Sequence, residues 1–113
     1  MNSYNEKEII ALLQDPARQR EAFGAIVKKY REQVYWQIRR LVFDHDDTND
    51  ILQNTFLKAW SNIEYFRGEA KMSSWLYRIA LNECLTFLNK QQANKQLSID
   101  EADSEMLNKL ESD

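Results

Sequence analysis

The sequence predicts an all-α fold: a compact bundle of three main helices plus a short N-terminal helix. Two Gly and one Pro in 113 residues leave little to interrupt helices. The composition leans toward Leu, Ile, Ala, Lys, Arg, Glu and Gln, residues that lose little conformational freedom in a helix. Apolar residues recur at spacings of three and four, and no useful stretch shows the period-two alternation of a half-buried strand. The length suits one domain with a single core.

Ile9, Ile10, Leu12 and Leu13 mark a short helix over residues 5–14. Asp15 then caps, and Pro16 opens a second helix, because Pro has no N–H to waste at a first-turn position. Phe23, Ile26, Val27, Tyr30, Val34, Ile38 and Leu41 form one buried stripe and carry that helix to about Val42. In the third helix Asp47 is the best N-cap candidate, and Ile51, Leu52, Thr55, Phe56, Ala59, Trp60 and Ile63 face the core. It ends near Tyr65, before Gly68. Ser73 or Ser74 caps the fourth helix, whose inner face is Leu76, Ile79, Ala80, Cys84, Phe87 and Leu88. Polar residues from Asn89 to Gln96 end or fray it. The remaining tail reads either as a weak acidic helix around Met106, Leu107 and Leu110 or as a flexible linker.

Charge is distributed in blocks. Residues 16–42 carry a local +5, residues 43–54 a local −4, residues 66–95 a local +3 and residues 96–113 a local −5, within a net charge of −3. Such alternation suits one face for a polyanion and another for a basic partner, and it also suits ordinary solvated helix faces. The longest apolar runs are only a few residues, so neither a signal peptide nor a membrane insertion is expected, and the protein is expected to be cytoplasmic.

Enzymatic chemistry finds no support. Cys84 is the only cysteine and lies in an apolar helical pattern, so it reads as a small buried hydrophobe. His45 stands among four Asp without the further ligands that a metal site needs, and the Asp44–Asp50 segment lacks the oxygen-ligand and Gly pattern of a calcium loop. Gly24 and Gly68 are isolated, so there is no phosphate-binding Gly-rich loop. No nucleophile, base and orienter set exists. A binding module with no catalytic residue, metal or cofactor is expected.

Two surfaces remain. Residues 66–82, FRGEAKMSSWLYRIALN, combine aromatic rings, cations, hydroxyls and a carboxamide, the groups that hold unstacked bases beside their phosphates. Trp75, Arg78 and Asn82 share a face away from the apolar stripe. Trp75 reads either as a staple of the helix start onto the core or as a stacking platform. Arg78 suits a phosphate and Asn82 a base edge. Arg67, Lys71, Ser73 and Ser74 surround Gly68 beside a helix N-terminus, where anions are favoured. Phe66 and Tyr77 complete the candidate set for single-stranded or partly melted nucleic acid. On the third helix, Asp50, Gln53 and Asn54 line one side over a single turn, with Lys58 beyond them, and could equally be solvated surface.

The order of these motifs resembles region 2 of bacterial sigma factors of the extracytoplasmic-function (ECF) group, within the sigma-70 family. Asp50, Gln53, Phe56, Ala59 and Trp60 match its first motif, Phe66, Arg67 and Gly68 the second, and Trp75 through Ala80 with Asn82 the third. The segment from Ala22 to Tyr30 also suits the family, and the likeness covers about residues 5–95. Asn54 stands where the family commonly has an acid, and the variable loop GEAKMSS leaves the identity of any captured base unread.

The resemblance implies an RNA polymerase sigma factor. Asp50, Gln53, Asn54 and Lys58 would dock on the β′ clamp helices of core RNA polymerase. The Phe66–Ser74 loop and the helix start would capture a flipped base of the promoter −10 element, with Asn82 supporting that site. Basic and aromatic residues there would stabilise the melted non-template strand of promoter DNA. An anti-sigma factor is an expected partner. Residues 1–95 would form the region 2 domain. The acidic segment 96–113 would lead toward a second domain absent from this chain, which reads as one part of a longer factor or, alternatively, as a natural one-domain relative. The alternative, from a different class, is a helical protein-interaction domain: an anti-sigma target or polymerase-binding relative without a direct promoter role.

Overall fold

A computed structural model of the chain describes residues 4–111; the extreme ends of the expected domain and tail, 1–3 and 112–113, lie outside the described residues. Four α-helices occur in chain order: α1 (Glu6–Leu13), α2 (Gln19–Arg39), α3 (His45–Ser61) and α4 (Met72–Glu111), with 3-10 turns at Pro16–Arg18 and Ile63–Tyr65. Among the described residues there is no strand. The all-α expectation holds, with α2, α3 and the first half of α4 as the main bundle and α1 packed across it.

The core is the product of the three-and-four spacing. Ile9 of α1, Ile26, Val34 and Ile38 of α2, Ile51, Leu52 and Ala59 of α3, and Leu76, Ala80 and Cys84 of α4 are all buried. Thr48 and Thr55 are buried as well. Each satisfies its hydroxyl by donating one turn back, Thr48 Oγ1 to the Asp44 carbonyl at 2.7 Å and Thr55 Oγ1 to the Ile51 carbonyl at 2.8 Å. Burial pushes the Cys84 thiol above its ordinary range, which fits an inert packing role.

Several boundaries differ from the sequence reading. Asp15 does cap, accepting from the Ala17 N–H at 3.0 Å, but it caps a 3-10 turn, and α2 begins only at Gln19. That helix stops at Arg39, so the stripe loses its period. Leu41 turns outward, 39% exposed, and Val42 takes the buried place. The N-cap of α3 is Asp44 rather than Asp47: its side chain accepts from the Asp46 N–H at 3.2 Å, and Asp47 falls inside the first turn. Trp60 lies at the rim of the core, 39% exposed, with its ring 5.1 Å from that of Phe23. Ile79, Phe87 and Leu88 are half-buried flanks of the inner face.

The largest correction concerns α4, which runs for 40 residues without fraying at Asn89–Gln96. No Gly or Pro occurs after Gly68, and residues 89–111 are rich in Ala, Leu, Lys, Glu and Gln, so nothing in the backbone stops the helix. At ~1.5 Å per residue it is about 60 Å long, and the molecule measures 72 × 23 × 21 Å. From Asn89 to Leu110 the side chains are exposed. No helix among the described residues is long and apolar enough to cross a membrane.

Candidate nucleic-acid interface

The loop between the second 3-10 turn and α4 is held at both ends. Phe66, half-buried, packs its ring against half-buried Trp75 with centroids 5.1 Å apart at 45°. Trp75 packs against the core, as a staple of the helix start onto the core would, and part of its ring remains exposed. Gly68 turns the chain at φ 77°, a left-handed conformation that a side chain resists. A Cβ there would meet only ordinary contact with Ile10, so the backbone angle and not the space selects glycine.

Neither Ser73 nor Ser74 caps α4. The helix begins one residue earlier, at Met72, and the Met72 N–H donates to the Glu6 carboxylate of α1. A carboxylate at a helix N-terminus is favoured by the dipole. One of the amide donors expected for an external anion is thus occupied by the protein itself. Arg67, Lys71 and Ser74 remain exposed around the loop and Ser73 is half-buried. Beside the loop, Ile10, Leu13, Gln14, Gln19, Phe66 and Arg67 border a groove of about 400 Å³.

On α4, Arg78 and Asn82 are exposed, and among the described residues their side chains have no hydrogen-bond or ion-pair partner. They lie one turn apart on the side of the helix that carries Trp75. Tyr77 does not join them. Its hydroxyl donates to Gln33 Oε1 at 2.9 Å, and its carbonyl accepts from Gln37 Nε2 at 3.0 Å, so it faces α2. The structure therefore groups Phe66, Arg67, Gly68, Lys71, Ser74 and Trp75 at the start of α4, sets Arg78 and Asn82 one and two turns beyond Trp75 on the same side, and sets Tyr77 around the helix from them.

On α3, Asp50, Gln53 and Asn54 are exposed. Gln53 borders a groove of about 530 Å³ with Val27, Arg31, Asn49, Leu52, Phe56, Leu57 and Trp60. The exposed floor is apolar, since Leu57 is 57% and Trp60 39% exposed. Lys58 points the other way, its Nζ 3.3 Å from Glu83 Oε1 on α4. Sequence reasoning overlooked Leu57 and Arg31; the signal available was a leucine outside the core stripe. The acidic start of α3 adds charge to this face. Partial desolvation, then repulsion from Asp44, raises the Asp47 carboxyl above its ordinary range. His45 is engaged at both ring nitrogens, by Tyr35 Oη at 2.6 Å and Asn49 Nδ2 at 3.1 Å.

The family model for Sigma-70 region 2 matches residues 26–94. An ECF RNA polymerase sigma-E factor of Haemophilus influenzae is 39% identical over 72 residues, 64% of this chain and 38% of the relative. The ECF RNA polymerase sigma factor SigW of Bacillus subtilis is 33% identical over 87 residues, 77% of this chain and 46% of the relative. The chain thus spans less than half the length of these relatives. An NMR structure of an engineered region 2 of sigmaE in complex with GTAAAA superposes with a TM-score of 0.71 at 28% identity, covering 83% of this chain and 96% of that one.

Proposed function

The chain belongs to the Sigma-70 region 2 family, in its ECF group, and from that premise we propose that it serves transcription initiation by joining core RNA polymerase to the promoter −10 element. The observation that carries this reading is the pair Arg78 and Asn82, exposed and unpartnered on α4 beside the loop clamped by Phe66 and Trp75. A guanidinium with no internal acid is available to phosphate, and a free carboxamide offers both donor and acceptor to a base edge. The shared fold with a region 2 solved with GTAAAA supports placing a single strand here.

The docking surface is α3. Gln53 with the apolar floor of Leu57 and Trp60 gives a partner helix something to bury, and Asp50 with the acidic helix start favours basic side chains at its rim. The β′ clamp helices are the proposed occupant, with Asn54 at the edge and Lys58 outside the groove. An anti-sigma factor would act by covering the same two faces. Residues 1–95 are proposed as the functional domain, working in the cytoplasm where polymerase works. The acidic half of α4 beyond residue 95 is proposed as a rigid lead toward a second domain.

The test is Asn82→Ala in reconstituted transcription. Initiation from the cognate promoter falls while affinity for core polymerase is kept. Equal loss of both removes the base-contact role.

A further inference from the structure

The basic run of α2 and the displaced Tyr77 are left over from the two surfaces above, and they meet in one place. Lys29, Gln33 and Trp36 of α2 and Arg40, the residue that caps its C-terminus, recur at spacings of four, three and four, which sets them on one stripe. With Glu32, Gln37 and Tyr77 they line a groove of about 620 Å³ between α2 and α4. Trp36 is 54% exposed, so much of its indole face is open to a stacking partner. Its indole meets Tyr35 edge-on with centroids 5.1 Å apart, which fixes the ring while leaving much of it in solvent. Two cations against one acid line the groove, with Lys29 and Arg40 separated by about 16 Å along the helix axis.

One atom narrows the chemistry of the ligand. Gln37 Oε1 is buried and has no hydrogen-bond partner in the protein. Its amide cannot simply be reversed, because Nε2 donates to the Tyr77 carbonyl, which can only accept. A buried acceptor left without a donor is unfavourable, and an N–H donor from a ligand would satisfy it. Nucleobases present such donors at the edge of a flat ring that stacks on indole, attached to a phosphate that pairs with Lys or Arg.

We propose that this α2–α4 groove is a second nucleotide-holding site, in which Trp36 stacks a base of single-stranded DNA, Gln37 Oε1 accepts from its edge, and Lys29 and Arg40 take the flanking phosphates. It rests on the reading of α4 as a promoter-strand surface and extends it. Tyr77, Ser74 and Arg78 succeed one another around the exposed side of α4, so a strand leaving Asn82 can cross the helix start into this groove.

The experiment is a ¹H–¹⁵N titration of the chain with a single-stranded oligodeoxynucleotide containing GTAAAA, following the Trp36 indole, the Gln37 side-chain amide, and the Trp75 and Asn82 signals. Shifts at both places are expected. Trp36→Ala should weaken binding at least about fivefold, the lower end of one lost base stack, and an abasic nucleotide at one position should erase that difference. Shifts confined to Trp75 and Asn82 overturn this inference and leave the proposed function standing; shifts at neither overturn both. If Trp36→Ala leaves oligonucleotide affinity intact and weakens association with core polymerase, the groove is a protein interface and the inference fails.

Discussion

Phe66 and Trp75, nine residues apart, pack their rings at a 45° tilt with centroids 5.1 Å apart and close the loop that separates them. This contact lets a polar, Gly-containing segment hold one shape against the entropy that favours opening it. Trp75→Ala is expected to destabilise the chain by about 1–3 kcal/mol, below the cost for a fully buried Trp because the ring is half-exposed. Urea denaturation reads this. In the same protein, affinity for a GTAAAA-containing single strand should fall, while Asn82→Ala lowers affinity with stability changed by no more than about 0.5 kcal/mol. Equal stability losses in both variants would contradict the separate roles.

Lys58 and Glu83 join α3 to α4 with an N–O distance of 3.3 Å, and the side chains are 58% and 18% exposed. A double-mutant cycle of Lys58→Ala and Glu83→Ala should give a coupling of about 0.2–1 kcal/mol, since solvent screens the lysine end. The coupling should shrink in high salt. As the Lys58 ammonium is already engaged, Lys58→Ala should weaken polymerase association less than Gln53→Ala does.

Leu57 is a surface residue with a core residue's chemistry, 57% exposed at the edge of the α3 groove. Leu57→Ser should change folding stability by no more than about 0.5 kcal/mol and reduce affinity for core polymerase. Phe56→Ala, one residue away and buried, should cost about 3–5 kcal/mol. Unchanged polymerase affinity in the Leu57 variant would remove the apolar floor from the docking surface.

Asp47 sets a pH dependence of definite sign. Its carboxyl titrates above the ordinary range, through desolvation first and then repulsion from Asp44. The folded state therefore disfavours the charged form, and Asp47 subtracts stability once pH rises through its folded value. Asp47→Asn should raise Tm near pH 7, and the difference should vanish below the ordinary aspartate value of about 3.9. Glu21 has the opposite sign. A hydrogen bond from Arg18, then one from Tyr4, lowers its carboxyl below the ordinary range, so its contribution is present at neutral pH and is lost as pH falls through that lowered value.

The spacing of Ile26, Val34 and Ile38, of Ile51, Leu52 and Ala59, and of Leu76, Ala80 and Cys84 by itself determined the helices and their buried faces. Periodicity records which side of a helix leaves water, and that is a local property. The motif order from Asp50 to Asn82 likewise determined the family. Tertiary structure alone decided what the remaining polar groups meet. Glu6 caps α4 across 66 residues of sequence, Lys58 turns to Glu83, and Tyr77 leaves the Arg78–Asn82 face for Gln33 and Gln37 on α2. Each of these partners comes from another helix, so only the packing of the bundle selects it. The length of α4 was a different kind of miss: polar residues at 89–96 signal exposure, whereas a helix stops only where the backbone or a cap makes it stop.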